Sequence, residues 1–200
     1  MNLSNLVTIG LRAKTGRAIA VVLGGTTESP SVVTKFEDLL TEPKVPATFQ
    51  PYHEVMEIPW EESQKAVQKF VRAIESVARS SLASLIKKLD SQGLTVKGIG
   101  VVGSKDRDLA RIGNYHIRAH AAEGILFRHV LELAAQTNKV KSRSFSDRDL
   151  DQNAASELEF TKATLKRRLN EMGKSLAPPW RTDEKQAATA AWLVLHDPPT

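Results

Sequence analysis

Two apolar runs joined by a short basic turn open the chain. Residues 8–23 read as apolar, then polar around Arg12 and Lys14, then apolar again, which predicts a β-hairpin. The β-branched stretch 31–36 follows a Gly-Gly pair and predicts a third antiparallel strand. Residues 41–58 contain scattered prolines, which favour a loop insertion over a helix or a central strand.

Helical and strand periods then alternate along the rest of the chain. Apolar residues spaced three and four apart predict a long amphipathic helix from Pro59 to about residue 89. Residues 94–103 are apolar and rich in glycine, as expected for a strand buried on both faces. A helix with a wide apolar arc over 119–135 and a short alternating strand over 139–145 follow.

Two further helices are predicted at the end of the chain. Residues 147–173 carry a thin apolar stripe and predict one long helix: Leu150, Ala154, Leu158, Leu165 and Leu169. Residues 182–196 predict a last helix, whose alanines permit close contact with a sheet. The predicted element order is therefore β-β-β-α-β-α-β-α.

This order resembles the ribonuclease H-like fold, and it is most similar to the RuvC-type Holliday-junction resolvase branch. Four segments carry the resemblance by their order and spacing: residues 10–16, 98–105, 120–124 and 183–188. The resemblance implies an α/β, three-layer domain over residues 1–200, with a mixed five-stranded sheet and helices on both faces.

The resemblance also implies where catalytic residues would stand. In that family four carboxylates hold two Mg²⁺ ions that drive phosphodiester hydrolysis. Their places fall here on Arg12, on Gly98 or a neighbour, on Asp183 and on Gln186. Since three of these four positions offer no carboxylate, the site is expected to be degenerate and to hold no metal.

Two interpretations of Asp183 stay open at this point. It can form a bidentate ion pair with Arg12, with the guanidinium replacing a metal as counter-charge. Alternatively, Asp183 and Gln186 form a capping box that begins the last helix.

A net charge of +5 and a pI near 9.5 make an anionic partner plausible. Six basic residues adjoin the expected sheet edge and are candidates for phosphate contacts: Arg12, Lys14, Arg17, Lys105, Arg107 and Arg111. A second basic group lies among glutamates on the predicted long helix: Lys162, Lys166, Arg167 and Arg168.

Other candidate metal ligands carry weaker signals. Acids follow the third and central strands and are expected to be turn-forming or solvated: Glu37, Asp38, Asp106 and Asp108. His116 and His120 lie four apart with Glu123 nearby, a spacing that can bind a transition metal. Because Ile117 stands where a zinc protease helix has glutamate, packing or solvation is the expected role of these histidines.

Composition limits the remaining classes. The chain lacks cysteine, and its first residues lack the pattern of a signal peptide, so a cytoplasmic protein without a membrane partner is expected. The predicted function is a non-catalytic protein that binds DNA or RNA or acts as a scaffold, without a cofactor. The alternatives are a Mg²⁺-dependent nuclease that uses Asp183 with Glu184, or a homodimer formed through residues 147–172.

Overall fold

The protein is built on a mixed five-stranded sheet, seen in a computed structural model that describes residues 5–198. The strands are β1 (Leu6–Lys14), β2 (Arg17–Gly25), β3 (Pro30–Leu39), β4 (Thr95–Gly103) and β5 (Ser142–Ser146). Their order across the sheet is β3-β2-β1-β4-β5. The hairpin strands pair antiparallel, whereas β1, β4 and β5 run parallel to one another.

Helices cover both faces of this sheet. They are α1 (Trp60–Ala66), α2 (Gln68–Ser91), α3 (Tyr115–Thr137), α4 (Leu150–Glu157), α5 (Lys162–Met172) and α6 (Thr182–His196). One core lies between the sheet and α2 with α3, and a second lies between the sheet and α4, α5 and α6. The predicted α/β class, the mixed five-stranded sheet and the helices on both of its faces are confirmed.

The alternation of side chains along β1 assigns each residue to one of the two cores. Val7, Ile9 and Leu11 are buried on the α2 and α3 side. Thr8 points to the other side, where its hydroxyl donates a 2.8 Å hydrogen bond to the carbonyl of Ala191 in α6. Arg12 shares this parity with Thr8 and therefore projects toward the beginning of α6.

Glycines on the sheet let α6 lie against it at backbone contact. A β-carbon built on Gly10 would lie 1.7 Å from the carbonyl oxygen of Ala187, and one on Gly100 would lie 2.5 Å from that of Ala190. The facing helix positions are alanines, so neither surface carries a long side chain at the contact. The prediction that small residues bring the last helix close to the sheet is correct.

The predicted single helix over 147–173 is wrong, because two helices, α4 and α5, occupy this segment. Glu159 adopts a φ of 55°, a left-handed conformation that breaks the helical path between them. Thr161 then caps α5, since its hydroxyl accepts a 3.1 Å hydrogen bond from the backbone N–H of Thr164. The apolar period continues across this break and hides it from sequence analysis.

The same finding removes the basis for dimerisation through this stripe. All five of its apolar residues are buried in the core that α4 and α5 share with α6: Leu150, Ala154, Leu158, Leu165 and Leu169. A partner helix therefore cannot use them without unfolding this layer. The stripe packs α4 and α5 against α6 and the sheet.

The insertion over 41–58 contains one 3₁₀ turn, Pro46–Thr48, and otherwise irregular turns. The domain span of 1–200 stays a prediction, and residues 1–4 and 199–200 lie outside the described residues. Within residues 5–198, no helix has the length and apolarity needed to cross a membrane.

The contact of α6 with the sheet predicts a large effect for Gly10→Ala. The added methyl group collides with backbone that cannot rotate away, so we expect a loss of about 3 kcal/mol or failure to fold. Gly113→Ala is the matched control, because a β-carbon at Gly113 meets nothing within 4 Å. Urea unfolding monitored by circular dichroism measures both variants. Equal stability of the two variants would contradict the backbone contact.

A pH effect is expected from Asp38, whose carboxylate accepts hydrogen bonds of 2.7 and 2.6 Å from the Ser81 hydroxyl. Burial raises the pKa of Asp38, although the Ser81 hydrogen bond opposes the rise. The native state therefore holds this proton more tightly than the unfolded chain, and the wild type gains stability over Asp38→Asn as pH falls from about 7 to about 4.

Urea unfolding at several pH values checks this expectation. Ser81→Ala removes the hydrogen bond that favours the charged form, so it should steepen the pH dependence. A stability difference between wild type and Asp38→Asn that stays constant with pH would show that the carboxyl group titrates alike in both states.

Candidate nucleic-acid interface

Three structural elements meet at the carboxyl edge of the parallel strands. Arg12 lies near the end of β1, and Asp147 directly follows β5. The backbone N–H of Asp147 donates a 3.1 Å hydrogen bond to the carbonyl of Gly103, the last residue of β4. Asp183 lies in the first turn of α6. The pairing of the strands and the packing of α6 on the sheet thus bring Arg12, Asp147 and Asp183 together, although they are far apart in sequence.

Arg12 forms the centre of this edge. Its Nη2 lies 3.0 Å from Asp147 Oδ2, and its Nε lies 3.7 Å from Asp183 Oδ1. The side chain is 12% exposed, so the guanidinium is largely removed from water and needs counter-charges. The predicted pair with Asp183 is present but is not bidentate, and the hydrogen-bonded acid is Asp147.

Two further residues complete the group. Lys14 Nζ lies 3.4 Å from Asp183, and Gln186 Nε2 donates a 3.5 Å hydrogen bond to the backbone carbonyl of Asp147. We call these five residues the Arg12 network: Arg12, Lys14, Asp147, Asp183 and Gln186. Two positive and two negative side chains balance within it.

The capping-box interpretation of Asp183 is wrong, because Asp183 is not the N-cap residue of α6. Arg181 is the N-cap residue of α6, and its backbone N–H donates a 2.7 Å hydrogen bond to Glu184 Oε2. Glu184 is therefore the buried carboxylate that begins the helix. Asp183 is left to face the cations of β1. Glu184, expected to join Asp183 in an active nuclease, is engaged by backbone instead.

The register of β4 also changes which residue stands beside Arg12. Gly98 pairs with Thr8, whereas Val102 is the β4 partner of Arg12. Val102 is fully buried, and Gly103 follows it. The strand therefore offers no oxygen side chain beside Arg12. The sequence led us to expect the same lack of a carboxylate, but at Gly98 instead of Val102.

These residues do not fit a pair of Mg²⁺ ions. Mg²⁺ needs free oxygen ligands in an octahedral shell, whereas both acids of the Arg12 network already face cations. Within residues 5–198, the one group of three or more His, Asp or Glu side chains with mutually close ligand atoms lies elsewhere, at His53, His116 and His120.

The acids considered for a relocated metal site are dispersed among other partners. Glu37 pairs with Arg17 at 3.2 Å, and Asp38 accepts from Ser81. Asp106 pairs with Arg128 at 2.5 Å. Asp108 accepts a 3.1 Å hydrogen bond from the Ala110 backbone and begins the 3₁₀ turn Leu109–Arg111. Each acid has a local structural role.

The six basic residues expected at the interface fall into two groups. Arg12, Lys14 and Arg17 are held by acids, as described above, and Arg111 pairs with Asp108 at 3.0 Å. Lys105 and Arg107 are exposed on the connection after β4. Lys105 lies 3.9 Å from Asp149, and Arg107 makes no ion pair within the described residues. Lys105 and Arg107 are therefore the two of the six predicted residues that are exposed and have no acidic partner closer than 3.9 Å within the described residues.

A lysine-lined cleft extends the same edge. The sequence analysis names Lys162 and Lys166 in its second basic group, but it gives no sign that Lys185 lies with them. Lys162 and Lys166 of α5 face Lys185 of α6 across a cleft of about 330 Å³. None of these three lysines makes an ion pair with a described residue. Gln186 lines this cleft and belongs to the Arg12 network, so the two features adjoin. The break between α4 and α5 places the lysines opposite one another, and that break had no signal in the sequence.

No protein-family model and no curated protein matches this chain. Among solved structures, Thermus thermophilus RuvC in complex with a Holliday junction substrate is similar, with 12% identity and a TM-score of 0.49 over 94% of this chain and 91% of that chain. The structure described as Thermus thermophilus RuvC gives the same values, with 92% of that chain covered.

The yeast mitochondrial Holliday junction resolvase is also similar, with 12% identity and a TM-score of 0.48. The match covers 97% of this chain and 78% of that chain. The chain is therefore similar to RuvC-type resolvases over most of its length. Each likeness is distant, and none assigns a role to a residue of this chain.

The Arg12 network predicts coupled losses of stability. Arg12→Met keeps the side-chain stem but leaves two acids without their shared cation, and we expect a loss of about 2 kcal/mol. Asp147→Asn and Asp183→Asn should each cost about 1 kcal/mol. A double-mutant cycle between Arg12 and Asp147 by urea unfolding measures their coupling.

Asp90→Asn, an exposed change on α2, is the control and should leave stability unchanged. If Asp183→Asn were as stable as the wild type, the interaction of Asp183 with Arg12 and Lys14 would contribute nothing. A helix cap would tolerate asparagine, so this variant separates the two roles.

Proposed function

We propose that this protein binds nucleic acid at the carboxyl edge of its sheet without hydrolysing it. The observation that carries the proposal is the position of the Arg12 guanidinium between Asp147 and Asp183. A fixed cation there supplies the counter-charge that a metal would otherwise supply. The site is thereby stable without a metal and lacks the group that would activate water.

Metal-dependent hydrolysis at this edge would require rearrangement. A Mg²⁺ ion would have to displace Arg12 and Lys14 from the acids. The displaced guanidinium, buried against β4, would then lack a counter-charge, which costs several kcal/mol. Asp147 and Asp183 are therefore structural partners of Arg12 in this proposal, and the protein uses no metal cofactor for its function at this edge.

The three lysines of the cleft, which have no ion-pair partner among the described residues, supply the affinity in this proposal. Lys162, Lys166 and Lys185 converge from two helices, and Lys105 and Arg107 extend from the connection after β4. Phosphate contacts of this kind bind a nucleic-acid backbone without reading its sequence. The balanced Arg12 network adjoins the cleft and holds its α6 side in place.

The type of nucleic acid that the protein prefers is determined by comparing its affinity for four probes. A four-way junction is included because one similar solved structure is described as bound to a Holliday junction substrate. Duplex DNA, single-stranded DNA and duplex RNA complete the set. A cytoplasmic location is proposed with this function, since a chain without cysteine suits a reducing compartment.

The cleft predicts salt-dependent binding that a triple lysine variant weakens. Changing all three cleft lysines to glutamine should lower affinity at least tenfold and reduce the slope of log K against log salt by up to about 3. Fluorescence anisotropy over a salt series measures both quantities. The matched control removes the same charge from α1 and α2, with glutamine at Lys65, Lys87 and Lys88, and should retain most of the affinity.

Equal losses in the two triple variants would mean that only net charge attracts the probe, which would overturn the role of the cleft. Binding that does not weaken with salt would overturn phosphate contacts as the source of the affinity. Cleavage assays with Mg²⁺ or Mn²⁺ test the nuclease alternative. A product that appears with wild type and disappears with Asp183→Ala would overturn the non-hydrolytic proposal.

A further inference from the structure

Three histidines converge on the side of the sheet opposite α6. His53 lies in the insertion after β3, and His116 and His120 are one turn apart at the beginning of α3. Each offers a ring nitrogen, and these nitrogens all lie within 4.8 Å of one another. The ring centroids are 4.4 to 4.9 Å apart, with the rings edge to face. We call these residues the histidine cluster.

Glu123, a buried residue of α3, fixes the orientation of the His53 ring. Its fully buried Oε1 lies 2.8 Å from His53 Nδ1 and accepts a 3.2 Å hydrogen bond from the His53 backbone N–H. A proton on Nδ1 satisfies this contact and leaves the lone pair on Nε2. A histidine held by a carboxylate in this way is the usual arrangement of a metal ligand.

Two buried atoms of this arrangement have no hydrogen-bond partner within the described residues. They are His53 Nε2 and Glu123 Oε2. An unpaired buried polar atom costs about 1 to 3 kcal/mol, so side-chain packing alone accounts poorly for the cluster. A cation bound at His53 Nε2 would satisfy that nitrogen and also balance the buried negative charge of Glu123.

We propose that the histidine cluster binds one first-row divalent transition metal ion, Zn²⁺ in particular, through His53 Nε2, His116 and His120. Tetrahedral zinc with Zn–N bonds of about 2.0 to 2.1 Å places its ligand nitrogens roughly 3.3 Å apart. His116 Nε2 and His120 Nε2 are already 3.0 Å apart. Small ring rotations therefore bring the third nitrogen into range.

The donor set decides the class of metal. Imidazole nitrogens suit Zn²⁺, Co²⁺, Ni²⁺ and Cu²⁺, whereas Mg²⁺ prefers oxygen ligands. His116 and His120 are exposed, so the fourth coordination position faces solvent and is open to water. This site is separate from the Arg12 network, which lies on the α6 side of the sheet.

The ligands also connect the insertion 41–58 to α3, which Glu123 already joins through its two contacts with His53. A metal ion bound to His53 and to both α3 histidines would clamp the insertion 41–58 onto α3. Within the insertion, the ring of Tyr52 lies 5.6 Å from that of Trp60, the first residue of α1. Burial, and then the negative charge of Glu123, raises the pKa of Tyr52, consistent with its place beside this carboxylate.

Metal titration of the full chain, after removal of bound metal by a chelator, tests the proposal. Isothermal titration with Zn²⁺ should show one ion per chain, and the bound protein should have a higher Tm. Co²⁺ should bind at the same stoichiometry with the visible absorption of a four-coordinate ion. Excess Mg²⁺ should not displace either metal.

His120→Ala removes an exposed ligand and should lower Zn²⁺ affinity at least a hundredfold without loss of fold. His129→Ala is the matched control, since His129 lies on the same helix and contacts Asp106 instead of the cluster. The proposal is overturned by the absence of a stoichiometric Zn²⁺ site in wild type, or by equal affinity in the two variants.

Glu123→Gln tests the positioning role. It should weaken Zn²⁺ binding about ten- to a hundredfold while the Co²⁺ spectrum keeps its shape, because the three ligands remain. An unchanged affinity in a folded Glu123→Gln protein would contradict that role. If this variant fails to fold, His116→Ala provides a second exposed ligand deletion, for which the hundredfold loss is again expected.

Discussion

The backbone contact between α6 and the sheet is the constraint on which the rest of the structure depends. Gly10 on β1 and Gly100 on β4 present no side chain to the helix, so the carbonyls of Ala187 and Ala190 approach the strands directly at these two positions. This contact fixes the position of the helix along β1. It therefore places Asp183, in the first turn of α6, beside Arg12 at the end of the strand.

The same constraint explains why the edge is built from paired charges. A guanidinium on the α6 face of β1 is mostly buried and must have acids nearby. Parallel pairing of β4 and β5 brings Asp147, and the helix brings Asp183. The acids that a metal would need are thus used to hold Arg12, whereas the lysines of α5 and α6 form no ion pair with any residue of the range 5–198. A balanced centre beside a basic cleft suits phosphate binding better than hydrolysis.

The fold class and the order of the five strands along the chain could be predicted from sequence because strand and helix periods are clear, and α6 falls at its predicted limits. The site was less predictable. Asp147 and His53 act through partners far away in sequence, and no local pattern identifies them. The break at Glu159 was hidden because the apolar period continues through it, and the cleft lysines depend on that break. Spacing did identify His116 and His120, but not their third partner.

The most direct test of the central claim is nuclear magnetic resonance of the protein with duplex DNA, before and after addition of Mn²⁺. We expect DNA to shift the amide signals of the cleft lysines, whereas paramagnetic Mn²⁺ should leave the amide signals of Asp147 and Asp183 unbroadened. Selective broadening of both aspartate amides would show a metal at the Arg12 network and contradict the account.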